Sequence, residues 1–165
     1  MKILPIITIP NPILKQSSFH VQEITKETKD LIENLKATLH AHPRCVGIAA
    51  VQVGILQRII IVDVAQSLKE HRNNGLLVMI NPDIKYCSGE ISSREGCLSV
   101  PNFVGNVVRK KKIEVEYLNI NGDKQELKTS GFEAIVIQHE IDHLNGKVFL
   151  DRVISLNTDV FRREN

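Results

Sequence analysis

The chain has 165 residues, 42% hydrophobic and 24% charged, with 21 basic side chains against 19 acidic ones. That length fits one domain, 1–165, whose core needs no disulfide staples. The net charge of +2 gives no field to steer a polyanion, so it carries no direct nucleic-acid signal.

The N-terminal MKILPIITIPNPILKQ lacks an unbroken apolar run ending at a small-residue cleavage site, so it does not read as a signal peptide. Residues 24–40 set Ile24, Thr28, Leu31, Ile32, Leu35 and Leu39 three and four apart, which predicts an amphipathic helix. RIIIVDV (58–64) and LLVMI (76–80) read as buried strands. Asn73, Asn74 and Gly75 turn between them, and Asn81-Pro82 closes the second. EGCLSVP (95–101) holds a glycine that lets backbone approach closely and a proline expected to end the segment. RKKK (109–112) is the one basic cluster and reads as the solvated start of a strand. KIEVEYLNI (112–120) alternates Ile113, Val115 and Tyr117 against Glu114 and Glu116; with NGDK and QELKTS it predicts a hairpin.

FEAIVIQHEIDHL follows, apolar on nearly every side and closed by Asn145-Gly146 in the position of a C-cap. A helix with so little polar face belongs in the middle of the molecule. The tail NTDVFRREN is polar and expected to fray. The fold class expected is α+β: mixed or antiparallel β-strands around a central C-terminal helix carrying HExxH. No run of about 18 apolar residues occurs, which excludes an ordinary membrane-spanning helix. Three cysteines, Cys45, Cys87 and Cys97, without a secreted-domain spacing, point to a reducing compartment.

On a helix, His139 and His143 project from one face about one turn apart, so one divalent metal can bridge them. Glu140 sits beside that metal, where a general base belongs. HExxH arises by accident in roughly 1.5% of chains of this composition, which makes the spacing strong but not sufficient. Burying two histidines and two acids in an apolar helix is costly without strong partners, and a metal supplies them. Asp142 either orients a ligand or faces solvent.

A catalytic site wants three protein ligands and an open position. The extended HExxHxxGxxH pattern keeps Gly146 but has Phe149 where its last histidine belongs, and Glu164 lies in the polar tail. Cysteine is the better third donor, and of the three Cys97 leads only modestly, Cys45 and Cys87 reading as a core and a strand-end residue.

GIAAVQVG (47–54), EGCLSVP and QHEIDHLNG, in that order, resemble the three signature segments of the peptide deformylase family, and TIPNPIL near the N-terminus is similar too. The resemblance implies that Cys97, His139 and His143 hold one divalent metal ion and that Glu140 is the catalytic acid/base. It assigns the oxyanion to the Gln52 amide and the Leu98 N–H. It further implies an added-strand substrate along Val46, Gly47 and Gly96, with Ile135, Val136, Val46 and the His139 ring around a methionine side chain, and a Glu95–Arg109 ion pair behind the metal loop. The metal implied is iron(II) in the cell, with zinc, nickel or cobalt as alternatives in purified protein. The substrates implied are N-formyl-methionyl nascent polypeptides, beside the ribosome, in a bacterial cytoplasm or in an organelle after loss of a transit peptide.

Two positions depart from the family pattern: Cys45 replaces a glycine and Val104 a basic residue. Two other classes compete with this reading, a different HExxH peptidase and a metal-stabilised binding module. The lack of a third histidine argues against the first, and Glu140 with Gln52 against the second.

Overall fold

A computed structural model describes residues 1–163; Glu164, weighed above as a metal ligand, lies outside them. The elements in chain order are α1 (Lys26–Ala41), β1 (Gly47–Ala49), β2 (Ile59–Val62), β3 (Leu77–Ser88), β4 (Ile91–Cys97), β5 (Val100–Arg109), β6 (Lys112–Leu118), β7 (Lys124–Ser130), α2 (Gly131–Leu144), α3 (Leu156–Asp159) and β8 (Val160–Arg162).

They build a five-stranded sheet in the order β1-β2-β3-β6-β7 and a three-stranded sheet in the order β4-β5-β8, every ladder antiparallel. The run Ile59–Val62 is apolar throughout because β2 is covered on both faces. Ile60 and Val62 join Val136, Ile137 and Ile141 of α2 in one core, while Ile59 and Ile61 join Ile32, Leu35 and Leu39 of α1 in another. Each such side chain contributes roughly 1.5–3 kcal/mol on burial. Thr25 caps α1 by accepting from the Thr28 N–H.

Helix α2 is buried from Glu133 to Leu144, as its sequence requires. Its first turn is tied down through Glu133, whose carboxylate accepts from Asn74 and from Thr129 Oγ1. Gly146, at φ 75°, follows the Asn145 cap. A third core, Cys97, Val100, Val107, Val148 and Phe149, joins the segment after α2 to β4 and β5.

Three expectations are corrected. Strand β3 does not end at Asn81-Pro82 but runs on to Ser88 through bulges. Asn81 takes up the bulge at φ 53°, and its side chain bonds the Val21 N–H and carbonyl. Pro101 does not end its segment either: it is the second residue of β5, ahead of the stretch that pairs with β8, so its missing N–H breaks no ladder there. The tail does not fray over its described residues, because β8 adds to β5 with Val104 opposite Phe161, and the Arg94 guanidinium lies 4.4 Å above the Phe161 ring.

Candidate metal centre and active site

Helical spacing brings the His139 and His143 rings together edge to face, 5.1 Å apart centroid to centroid and 73° between planes. The β4–β5 hairpin turns through Leu98-Ser99 and delivers Cys97, the last residue of β4, to the same face of α2. Cys97 Sγ lies 3.2 Å from His143 Nε2, and one donor atom from each of Cys97, His139 and His143 falls within 4.8 Å of the others. Burial opposes ionisation of Cys97, but the adjacent His143, with His139, outweighs it and holds the thiol well below its ordinary range. A thiolate and two imidazoles converging in this way fit a divalent cation and leave its fourth position open. Phe149, at the place of the missing third histidine, is fully buried and stacks 6.4 Å from the His139 ring.

A buried carboxylate chain fixes the histidine. Glu95 Oε1 accepts from His139 Nδ1 at 2.8 Å, leaving Nε2 of that ring for a metal. Arg109 donates to both Glu95 oxygens at 2.8 and 2.9 Å and to Asp142 at 2.6 Å, and Asp142 is also held by Arg152. Burial alone would raise the Glu95 pKa; the hydrogen bonds from Arg109 and His139 together overcome it and hold it at about 2. The open choice for Asp142 resolves in favour of the interior.

Glu140 is 4% exposed, and its Oε1 has no hydrogen-bond partner among the described residues. Burial pushes its pKa up to about 7 against the pull of His139 and His143, a value at which a carboxyl exchanges protons readily near neutrality. It reaches the cleft because residue 47 is glycine: a Cβ there would stand 2.6 Å from Glu140 Oε2 and 2.9 Å from Val136 Cγ1. Gln52 is oriented from behind, its Oε1 accepting from the Ala49 N–H at 2.9 Å, so that Nε2 points at Ser99 Oγ and Cys97 Sγ.

Val46, Gly47, Gln52, Gly96, Cys97, Leu98, Ile135, Val136, His139 and Glu140 all line one cleft of about 420 Å³, and His143 is buried beside Cys97 beneath it. Every site residue read from the sequence is therefore gathered at one place. Arg44, Arg94, Phe132 and Arg163, which the sequence reading did not single out, line it too. The role of Glu95 in holding His139 was also missed, since only its pairing with Arg109 had been expected. At the first departure, Cys45 needs no left-handed backbone; that conformation falls on Arg44 at φ 67°, and Cys45 Sγ donates to the Gly47 carbonyl at 3.4 Å. At the second, Val104 lines the cleft beside Gly96.

The polypeptide deformylase profile matches residues 3–159. A peptide deformylase of Syntrophobacter fumaroxidans is 40% identical over 164 residues, covering 99% of this chain and 94% of the relative. One of Halothermothrix orenii is 41% identical, covering 97% and 99%. The crystal structure of the Ehrlichia chaffeensis peptide deformylase in complex with actinonin superposes with a TM-score of 0.88 at 36% identity, covering 95% of this chain and 92% of that one. The Thermotoga maritima peptide deformylase gives 0.85 at 34% identity, covering 94% and 100%. With its Cys-His-His cluster, its buried glutamate and a family match that spans residues 3–159, the chain belongs to the polypeptide deformylase family.

Proposed function

We propose that one divalent metal ion, held by Cys97, His139 and His143, works with Glu140, Gln52 and Leu98 in this chain's reaction. That reaction, the reaction of its family, removes the N-formyl group from the initiator methionine of newly made polypeptides and releases formate. The observation that carries the residue roles is Glu140 itself. It is a buried carboxyl with a free oxygen, set beside three metal donors in an open cleft. A structural metal site is closed and has no use for such a group.

Bound there, the cation supplies Lewis acidity, lowering the pKa of water and polarising a carbonyl. The nascent chain lies as an added strand between Val46-Gly47 and Gly96, with its methionine side chain against Val46, Ile135, Val136 and the His139 ring. Glu140 takes a proton from the attacking water as oxygen adds to the formyl carbon. It then hands that proton to the amine nitrogen as the C–N bond breaks. Gln52 Nε2 and the Leu98 N–H donate to the oxyanion that develops between those steps.

We assign iron(II) as the ion in the cell, as the family resemblance implies; the same thiolate and imidazole donors also hold zinc, nickel or cobalt. The whole chain acts as one domain. Its partner is the nascent polypeptide at the ribosome, in a bacterial cytoplasm or an organelle; the relatives named above are bacterial. Among the described residues no helix is long and apolar enough to cross a membrane.

The test is formate release from a short formyl-methionyl peptide by anaerobically purified protein, with metal content measured on the same sample. Glu140→Ala is expected to keep its metal and lose about 100-fold or more in rate. Metal-loaded protein that releases no formate, or a variant as fast as its parent, overturns the reading.

A further inference from the structure

The three-stranded sheet turns one face to the cleft, and an arginine from the end of the chain lies on it. In an antiparallel sheet, residues directly opposite one another share a face, as do alternate residues along one strand. Val104 stands opposite Phe161, so Arg163, two residues beyond Phe161, projects from the same side. The backbone there is fixed by the Arg163 N–H donating to the Asn102 carbonyl at 2.8 Å. From that point the side chain runs back over the sheet to Gly96. A Cβ at Gly96 would overlap the Arg163 guanidinium and would stand 3.4 Å from Val104 Cγ1. The missing side chain at Gly96 and the short one at Val104 thus make a shelf on which the guanidinium rests.

Two observations show a group placed for a ligand. Arg163 lines the cleft together with Glu140, Cys97 and Leu98. Its Nε is buried and has no hydrogen-bond partner among the described residues, which costs free energy until an acceptor arrives. A guanidinium offers five N–H donors in a planar fork and accepts nothing, so what it meets must be oxygen-rich. The Gly96 edge, one residue from Cys97, runs along the path of the substrate strand, whose main-chain carbonyls supply such acceptors past the methionine.

We infer that Arg163 is a substrate-binding, length-sensing residue that donates to main-chain carbonyls of the residues following the formyl-methionine. The inference rests on the functional reading above. It makes the chain's last described residue part of the cleft, reached by the β8 pairing and not by any element near the metal.

The experiment compares formate release by the metal-loaded full chain and by Arg163→Ala on formyl-methionine amide and on formyl-Met-Ala-Ser amide, the amides removing any terminal carboxylate. On the longer peptide KM is expected to rise about tenfold with kcat within twofold, a loss at least five times larger than on formyl-methionine amide. Arg163→Lys, which keeps charge but not the fork, is expected to fall between. Because Val104 borders the same shelf, Val104→Arg added to Arg163→Ala is expected to recover at least half of the lost kcat/KM. Equal losses on both amides, or no loss on either, would overturn the inference. Failure of the parent to release formate from any of these peptides would instead remove the functional reading on which it stands.

Discussion

Gly47 shows how one missing methyl decides chemistry. The position is glycine because Glu140 and Val136 fill the space a Cβ would need, so Gly47→Ala pushes the carboxylate off its place. It is expected to lower kcat for formate release at least tenfold and to cost about 1–3 kcal/mol by overpacking, while metal content stays near the parent's; an unchanged kcat would show that Glu140 has slack. Cys45 gives a second test. Burial first, then the Glu140 charge, raises its thiol from the usual 9.0 to about 12. Only thiolate is alkylated, and at pH 8 a pKa of 12 leaves roughly a thousandfold less of it than a pKa of 9. Iodoacetamide on metal-loaded protein should therefore add one label, at the exposed Cys87. The Cys45 rate should then climb tenfold per pH unit, and a Cys45 label at pH 8 as fast as the Cys87 label would refute the burial argument. His139, Glu140 and His143 were legible because the helical period alone puts both imidazoles on one face. Cys97 leads only modestly on spacing, since its approach depends on where a remote hairpin docks.

The same contrast separates elements that were read from those that were not. Helices α1 and α2, strand β2 and the β6–β7 hairpin carry their periods in their own residues. ISSREGC and VPNFVGNVVR carry polar residues and glycine through the hairpin that becomes β4 and β5, and its Leu98-Ser99 turn lacks the Asn-Gly signal. Strand β8, three residues long, exists only through its pairing with β5. What seats β5 against the segment after α2 is a close fit at Gly105, where a Cβ would meet Phe149 Cε2 at 3.0 Å and Val153 Cγ1 at 3.2 Å. Since Phe149 also stacks on His139, the joint supports the metal site as well. Gly105→Ala is expected to cost about 1–3 kcal/mol by overpacking. In a Phe149→Leu background the ring edge is gone, and the same substitution should cost measurably less. Equal shifts in urea midpoint in both backgrounds would mean that Phe149 is not what the new methyl meets.

The molecule is tied across its middle by one arginine. Arg109, at the end of β5 and 5% exposed, binds Glu95 of β4 and Asp142 of α2. Glu95 carries the link on to His139, and Asp142 carries it out to Arg152. The small sheet, the central helix and the metal donors therefore share one buried charge network. Removing its centre takes the buried cation from two carboxylates, leaving Glu95 to Ser93 and His139, and Asp142 to the half-exposed Arg152. Arg109→Met is expected to cost about 3–5 kcal/mol, because the charges left behind stay buried. In a chain of this length that corresponds to a fall of roughly 10 °C in thermal midpoint. With Glu95 no longer held, His139 loses its orientation, and metal affinity should drop about 10- to 100-fold. Arg152→Ala is the comparison: its side chain is 44% exposed and Arg109 still holds Asp142, so the change should stay within about 1 kcal/mol and leave metal affinity alone. Calorimetry and competitive chelation on both variants decide the matter. If Arg152→Ala loses as much stability and metal as Arg109→Met, the network is organised from the surface inward and the central place given to Arg109 is wrong.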